Sequence, residues 1–103
     1  MIPNETNHAA SEALALAALA WTLAEEGRAR RLLDTTGLTP EALREGLGAP
    51  ALLAASLRFL EAHEPDLLAC AGEIGVSPVD LVDARRRLEA DGPDQAKTMV
   101  RNP

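Results

Sequence analysis

Residues 71–88 read AGEIGVSPVDLVDARRRL, from Ala71 to Leu88. Gly75 suits the left-handed position just past a helix end, because it has no Cβ to clash there. Ser77 and Pro78 suit the start of the next helix as N-cap and first residue, with Asp80 three residues after the cap in a capping-box-like position. The stretch therefore reads as two helices joined by a tight corner. Its spacing also fits the helix-turn-helix of DNA-binding regulators: Ala71 small where two helices approach, Gly75 in the turn, Leu81 packing back.

A second copy of the corner bears on that choice. Gly37-Leu38-Thr39-Pro40-Glu41-Ala42-Leu43 and Gly75-Val76-Ser77-Pro78-Val79-Asp80-Leu81 superpose at a constant offset. Both stop a helix on glycine, place an apolar residue at the bend, cap with a hydroxyl and restart on proline. The first copy has Leu33 where the DNA-binding motif wants a small residue. The shared chemistry is that of an αα-corner, which needs these residue types whatever its function.

Extending the same punctuation divides the chain into six helical segments. The first runs from about Asn7 or Ser11 to Glu26, and Gly27 is expected to break it. Its Leu14, Leu16, Leu19, Trp21 and Leu23 fall on more than one face, which predicts a central helix covered on several sides. The second spans Arg28 to Thr36 with Leu32 and Leu33 inward. The third starts at Thr39-Pro40-Glu41 and ends around Gly46 to Gly48. Pro50 opens the fourth, where Leu53, Leu57 and Leu60 keep helical spacing. Glu64-Pro65-Asp66 opens the fifth, with Leu67, Leu68, Ala71 and Ile74 facing inward, and Ser77-Pro78 opens the sixth. No segment alternates long enough to read as a strand.

Composition agrees. The chain has 103 residues, 47% hydrophobic and only 2% aromatic, with Trp21 and Phe59 the sole aromatics. Alanine and leucine dominate, and both lead the helix-propensity ranking. The length supports one domain with a single core. One cysteine, Cys70, allows no internal disulfide and suits a reducing, cytoplasmic setting. The opening MIPNETNH lacks the basic lead-in of a signal peptide. Ser11 to Ala24 would span only ~21 Å as a helix, against a hydrocarbon slab of roughly 30 Å, so no membrane span is expected.

The formal net charge is −6, which repels phosphate unless the basic groups gather on one face. The longest basic run is Arg85-Arg86-Arg87. In the helix-turn-helix reading these three are the residues that would meet nucleic acid. The turn that such a motif presents to base edges carries Pro78, Val79, Asp80 and Asp83 instead, and residues 67–91 hold five acids against three bases. Nucleic acid is therefore a disfavoured partner.

No catalytic or cofactor constellation appears. His8, His63 and Cys70 lack metal-ligand spacing, and Glu61 with Glu64 reads as a solvated helix face. Cys70 lies among Leu68, Ala69 and Ala71 and reads as a buried, inert thiol. Trp21 reads as a core residue. The chain has no nucleophile elbow, Walker sequence or dinucleotide fingerprint, and its seven glycines are expected at helix ends rather than in a phosphate loop.

The Ala/Leu-rich opening EALALAALAW, the corner TGLTPEALR, the segment LRFLEAHEPDLL and the closing GVSPVDLVDARRRL occur in an order that resembles the domain of unknown function 3572 family, a group of short bacterial helical proteins. The resemblance covers roughly Glu12 to Leu88. It implies an all-helical fold and brings no catalytic or binding residues. Relatives often carry an acidic-Pro turn after the first helix, where this chain has Glu26-Gly27.

The expected fold is all-α, a compact orthogonal array of about six short helices around an apolar N-terminal helix. Residues 1–10 form a lead-in, 11–91 the domain and 92–103 a flexible tail. The expected core is Leu14, Leu19, Trp21, Leu33, Leu43, Leu53, Leu57, Leu60, Leu68, Ile74, Leu81 and Leu88. The expected function is non-enzymatic: binding of an unidentified protein partner, without cofactor or metal. The alternative is a DNA-binding regulator using residues 67–88. The Ala/Leu-rich composition is also compatible with a homo-oligomer.

Overall fold

The computed structural model describes residues 3–90, with side chains from residue 8 onward. The expected tail at 92–103 lies outside the described residues. Six helices follow one another: α1 (Pro3–Leu23), α2 (Glu26–Thr36), α3 (Pro40–Glu45), α4 (Pro50–Glu61), α5 (Glu64–Ile74) and α6 (Pro78–Ala90). The described residues contain no strand, and the chain is all-α.

Both corners form with the chemistry their residues dictate. Gly37 and Gly75 take φ of 75° and 80°, the left-handed region that glycine enters without steric cost. Their N–H groups donate to Leu33 O and Ala71 O. Thr39 Oγ1 then accepts from Ala42 N–H at 3.0 Å. At the second corner the cap is reciprocal: Asp80 N–H donates to Ser77 Oγ at 3.2 Å, and Ser77 N–H donates to Asp80 Oδ2 at 3.0 Å.

The first break differs from expectation. α1 is already helical at Pro3, ahead of Asn7 or Ser11, and ends at Leu23 rather than Glu26. Gly27 does not break a helix but lies in the first turn of α2. Glu25 is the cap, its two carboxylate oxygens accepting from Gly27 N–H at 3.1 Å and Arg28 N–H at 3.0 Å. A carboxylate at a helix start satisfies amides that have no partner inside the helix. A Cβ at Gly27 would lie 3.1 Å from Glu25 Oε2, so the glycine leaves room for the cap.

α1, α4 and α6 form the centre of the molecule by packing on one another, with α2 and α5 at its flanks. The centre is therefore shared rather than held by α1 alone. Leu53, Leu57 and Leu60 of α4 meet Leu81, Ala84 and Leu88 of α6 and Ala15, Ala18 and Leu19 of α1 in one core. The alanines on α1 allow close approach of its neighbours. Seven of the expected core residues are buried, and Leu14, Trp21, Leu33 and Ile74 are half-buried against them.

Two expectations fail for a shared reason. Leu68 is 52% exposed, because the inward face of α5 is set by Leu67, Cys70 and Ala71, and one residue turns a helix by about 100°. α1 is not covered on all sides either. Ala13, Leu16, Ala17, Ala20, Leu23 and Ala24 are all exposed, while Ala15, Ala18, Leu19 and Thr22 face the core. Apolar residues all round a helix require burial only on the side its neighbours reach, and here they reach one side.

Candidate functional site

The end of α1 opens onto a cleft. Leu23 of α1, Leu33 of α2, Pro40, Leu43 and Arg44 of α3, and Leu47 just beyond α3 line a hollow of about 360 Å³. Corner chemistry places each wall. Gly37 and Thr39 turn α3 back toward α1, presenting Pro40 and Leu43. Gly46 lets the chain leave α3 close to α4, since a Cβ there would come within 2.6 Å of Leu52 Cδ1, and this close passage sets the position of Leu47. Leu23 and Leu47 remain 38% and 37% exposed at the lip. Arg44 is the only charged side chain in the lining, and among the described residues it makes no ion pair.

Arg28 and Trp21 tie α2 to the end of α1 beside the cleft. Arg28 lies over the Trp21 ring at 3.7 Å from its centroid and donates through Nη2 to Trp21 O at 2.6 Å. Trp21 is thus half in the core and half a platform for a guanidinium, a cation–π arrangement. The amide donors from Gly27 and then Arg28 hold the Glu25 carboxyl below its ordinary value.

The three arginines named for nucleic acid go separate ways. Arg85 donates through Nε and Nη2 to both oxygens of Glu61 at 2.9 Å, and through Nη1 to Glu89 Oε1 at 3.1 Å. Glu61 chiefly, then Glu89, keeps this guanidinium firmly protonated. Arg58 reaches Glu89 as well, so four charges tie α4 to α6. Arg86 is exposed, 4.0 Å from Asp83 Oδ1. Arg87 is exposed and makes no ion pair among the described residues. The carboxylate of Asp80 is committed to its cap, while Val79 is 64% exposed beside it.

The other chemistry-bearing residues are equally occupied. Glu61 ends α4 and Glu64 opens α5, so the two do not share a helix. His63 Nε2 lies 3.8 Å from Asp66 Oδ2, which also accepts from Arg31 at 3.0 Å. Cys70 is wholly buried, and burial pushes its thiol up to about 11. Among the described residues no group of three or more His, Cys, Asp or Glu could hold a metal ion. Nor is any described helix long and apolar enough to cross a membrane.

Comparison with known proteins bears on this arrangement at the level of family. The family described as "Protein of unknown function (DUF3572)" matches residues 8–91. The chain belongs to that family. No curated protein and no solved structure matches it. The match begins within α1 and includes all of α2 to α6, so every wall of the cleft and both corners lie inside the DUF3572 region. Sequence reasoning missed the cleft. Its walls come from segments 23, 33, 40–44 and 47, which share no local pattern. The available signal was that Leu47 follows the third helix between two glycines, where no helix of its own could bury it.

Proposed function

We propose that this DUF3572 domain is a cytoplasmic, non-enzymatic protein-interaction module, and that its cleft receives an apolar segment of another protein. The observation that carries this reading is the lining itself: five aliphatic residues with a single cation, Arg44, at the edge. Sites for small ligands combine apolar walls with several convergent polar groups that fix orientation, and this cleft offers one. Apolar anchors projected at helical spacing into an aliphatic groove need no such polar set, because shape and burial supply the affinity. Arg44 can pair with a carboxylate on that segment and fix its direction.

The alternative of DNA reading through α5 and α6 draws less support. Arg85 is engaged by two glutamates, and Asp80 and Asp83 stand where base contacts would be made. That leaves Arg86 and Arg87 to carry it. Elution from heparin only at high salt would favour DNA instead.

The test places a photo-reactive residue at Arg44 in the full chain, within its native cells, with and without Leu47→Asp. The expected result is a discrete cross-linked protein that disappears with L47D. A cross-linking pattern indifferent to L47D would remove the support for the cleft.

A further inference from the structure

The exposed face of α1 has a pattern of its own. Ala13, Leu16, Ala20 and Leu23 follow one another at spacings of three, four and three, the repeat that keeps one helix seam against another. All four are exposed, as is Ala17 beside them, and no charged residue occurs between Glu12 and Glu25. The described molecule thus leaves a coiled-coil seam without a second helix.

The seam is complementary to itself. With two copies antiparallel and residue i opposite residue 36 − i, Leu16 meets Ala20, Ala20 meets Leu16, Ala13 meets Leu23 and Leu23 meets Ala13. Every leucine is set over an alanine, and the pairing is isologous as a two-fold axis requires. In a parallel arrangement leucine would meet leucine and alanine would meet alanine, leaving gaps along the seam.

Area sets the strength. The seam from Ala13 to Ala24 is about 17 Å long and roughly 10 Å wide, offering on the order of a few hundred Å² per copy. Stable interfaces bury about 800 Å² per partner, and smaller ones belong to weak, transient complexes. The described core packs within one copy without help from the outward face of α1, so the fold does not rest on the contact. Charge acts in the same direction, because Glu12 of one copy comes opposite Ala24 of the other, next to Glu25, and each copy carries −6.

We infer that the outward face of α1 is the contact surface of a weak two-fold dimer, in which α1 packs antiparallel on the α1 of a second copy. This surface is separate from the binding role of the cleft, although Leu23 borders both.

Sedimentation of the full chain across concentrations tests the dimer. The expected mass rises toward two copies at high micromolar concentration, more readily in higher salt as like charges are screened. Leu16→Glu should weaken association at least tenfold without moving the urea midpoint, since Leu16 is 39% exposed. Cysteine cross-linking reads the register: a mixture of Leu16→Cys and Ala20→Cys chains should form the mixed disulfide faster than either variant forms its own dimer. A chain that stays monomeric to millimolar concentration overturns the inference. So does faster self-pairing, which means a parallel seam, and so does an L16E chain that associates unchanged. L47D should leave the mass unaltered, so loss of the cleft partner and loss of the dimer are separate outcomes.

Discussion

Arg85 lays its guanidinium along both carboxylate oxygens of Glu61, at 2.9 Å each, and joins the middle of α6 to the last residue of α4. Only 14% and 22% of the two side chains remain exposed. A bidentate pair so placed is stronger than an ordinary surface ion pair, and removing one partner leaves the other charge partly buried and unmatched.

Arg85→Ala should therefore lower stability by about 1–3 kcal/mol. Arg86→Ala and Arg87→Ala, on open surface, should change it by no more than about 0.5 kcal/mol. Urea unfolding of the three variants measures the contrast. Equal losses at all three positions would mean that the α4–α6 tie contributes nothing.

The glycines should divide by sign. Gly37→Ala and Gly75→Ala force a Cβ into left-handed backbone and should cost about 1–2 kcal/mol each. Gly72 lies inside α5 and not at a helix end as expected, and a Cβ there meets nothing within 4 Å. Gly72→Ala should instead stabilise by about 0.5–1 kcal/mol. Thermal melts of the three variants check the order.

Acid should weaken the fold through two carboxylates. Amides from Gly27 and Arg28 lower Glu25, and Arg58 followed by Arg85 lowers Glu89, both from an ordinary value of 4.5. A folded value below the unfolded one means that the unfolded chain binds protons first. The stabilisation is then complete above about pH 4.5 and fades as pH falls through the folded values. Denaturant midpoints from pH 7 to pH 3 should drop less steeply for Glu25→Gln/Glu89→Gln than for the unsubstituted chain. Parallel curves would count against both contacts.

Cys70 should resist thiol reagents. It is fully buried with its thiol raised to about 11, so labelling at pH 8 should follow the rate of unfolding and accelerate with urea. Prompt labelling of the folded chain would contradict the burial.

Local chemistry made much of this fold legible. Gly37, Thr39, Pro40 and Gly75, Ser77, Pro78 each announce a turn through constraints within a few residues, and both corners form. The leucines of α4 and α6 keep a helical period, and all are buried where that period is unambiguous. Adjacent pairs are harder. Leu67 and Leu68 are equally apolar, and only the placement of α5 against its neighbours selects Leu67. At the first break, Gly27 looked like a helix breaker, whereas the capping strength of the Glu25 carboxylate decided the boundary two residues earlier. The cleft was illegible because its walls come from four separated segments, and the open face of α1 was illegible because sequence does not say which sides of an apolar helix receive neighbours.

Leu81, Ala84 and Leu88 are entirely buried, and they belong to α6, the last of the described helices. The apolar sides of α1 and α4 that α6 covers are made much earlier in synthesis. A chain that stops before residue 78 thus lacks the cover for those sides, and closure of the core waits for α6. Loss of α6 therefore uncovers the centre of the molecule rather than trimming its edge.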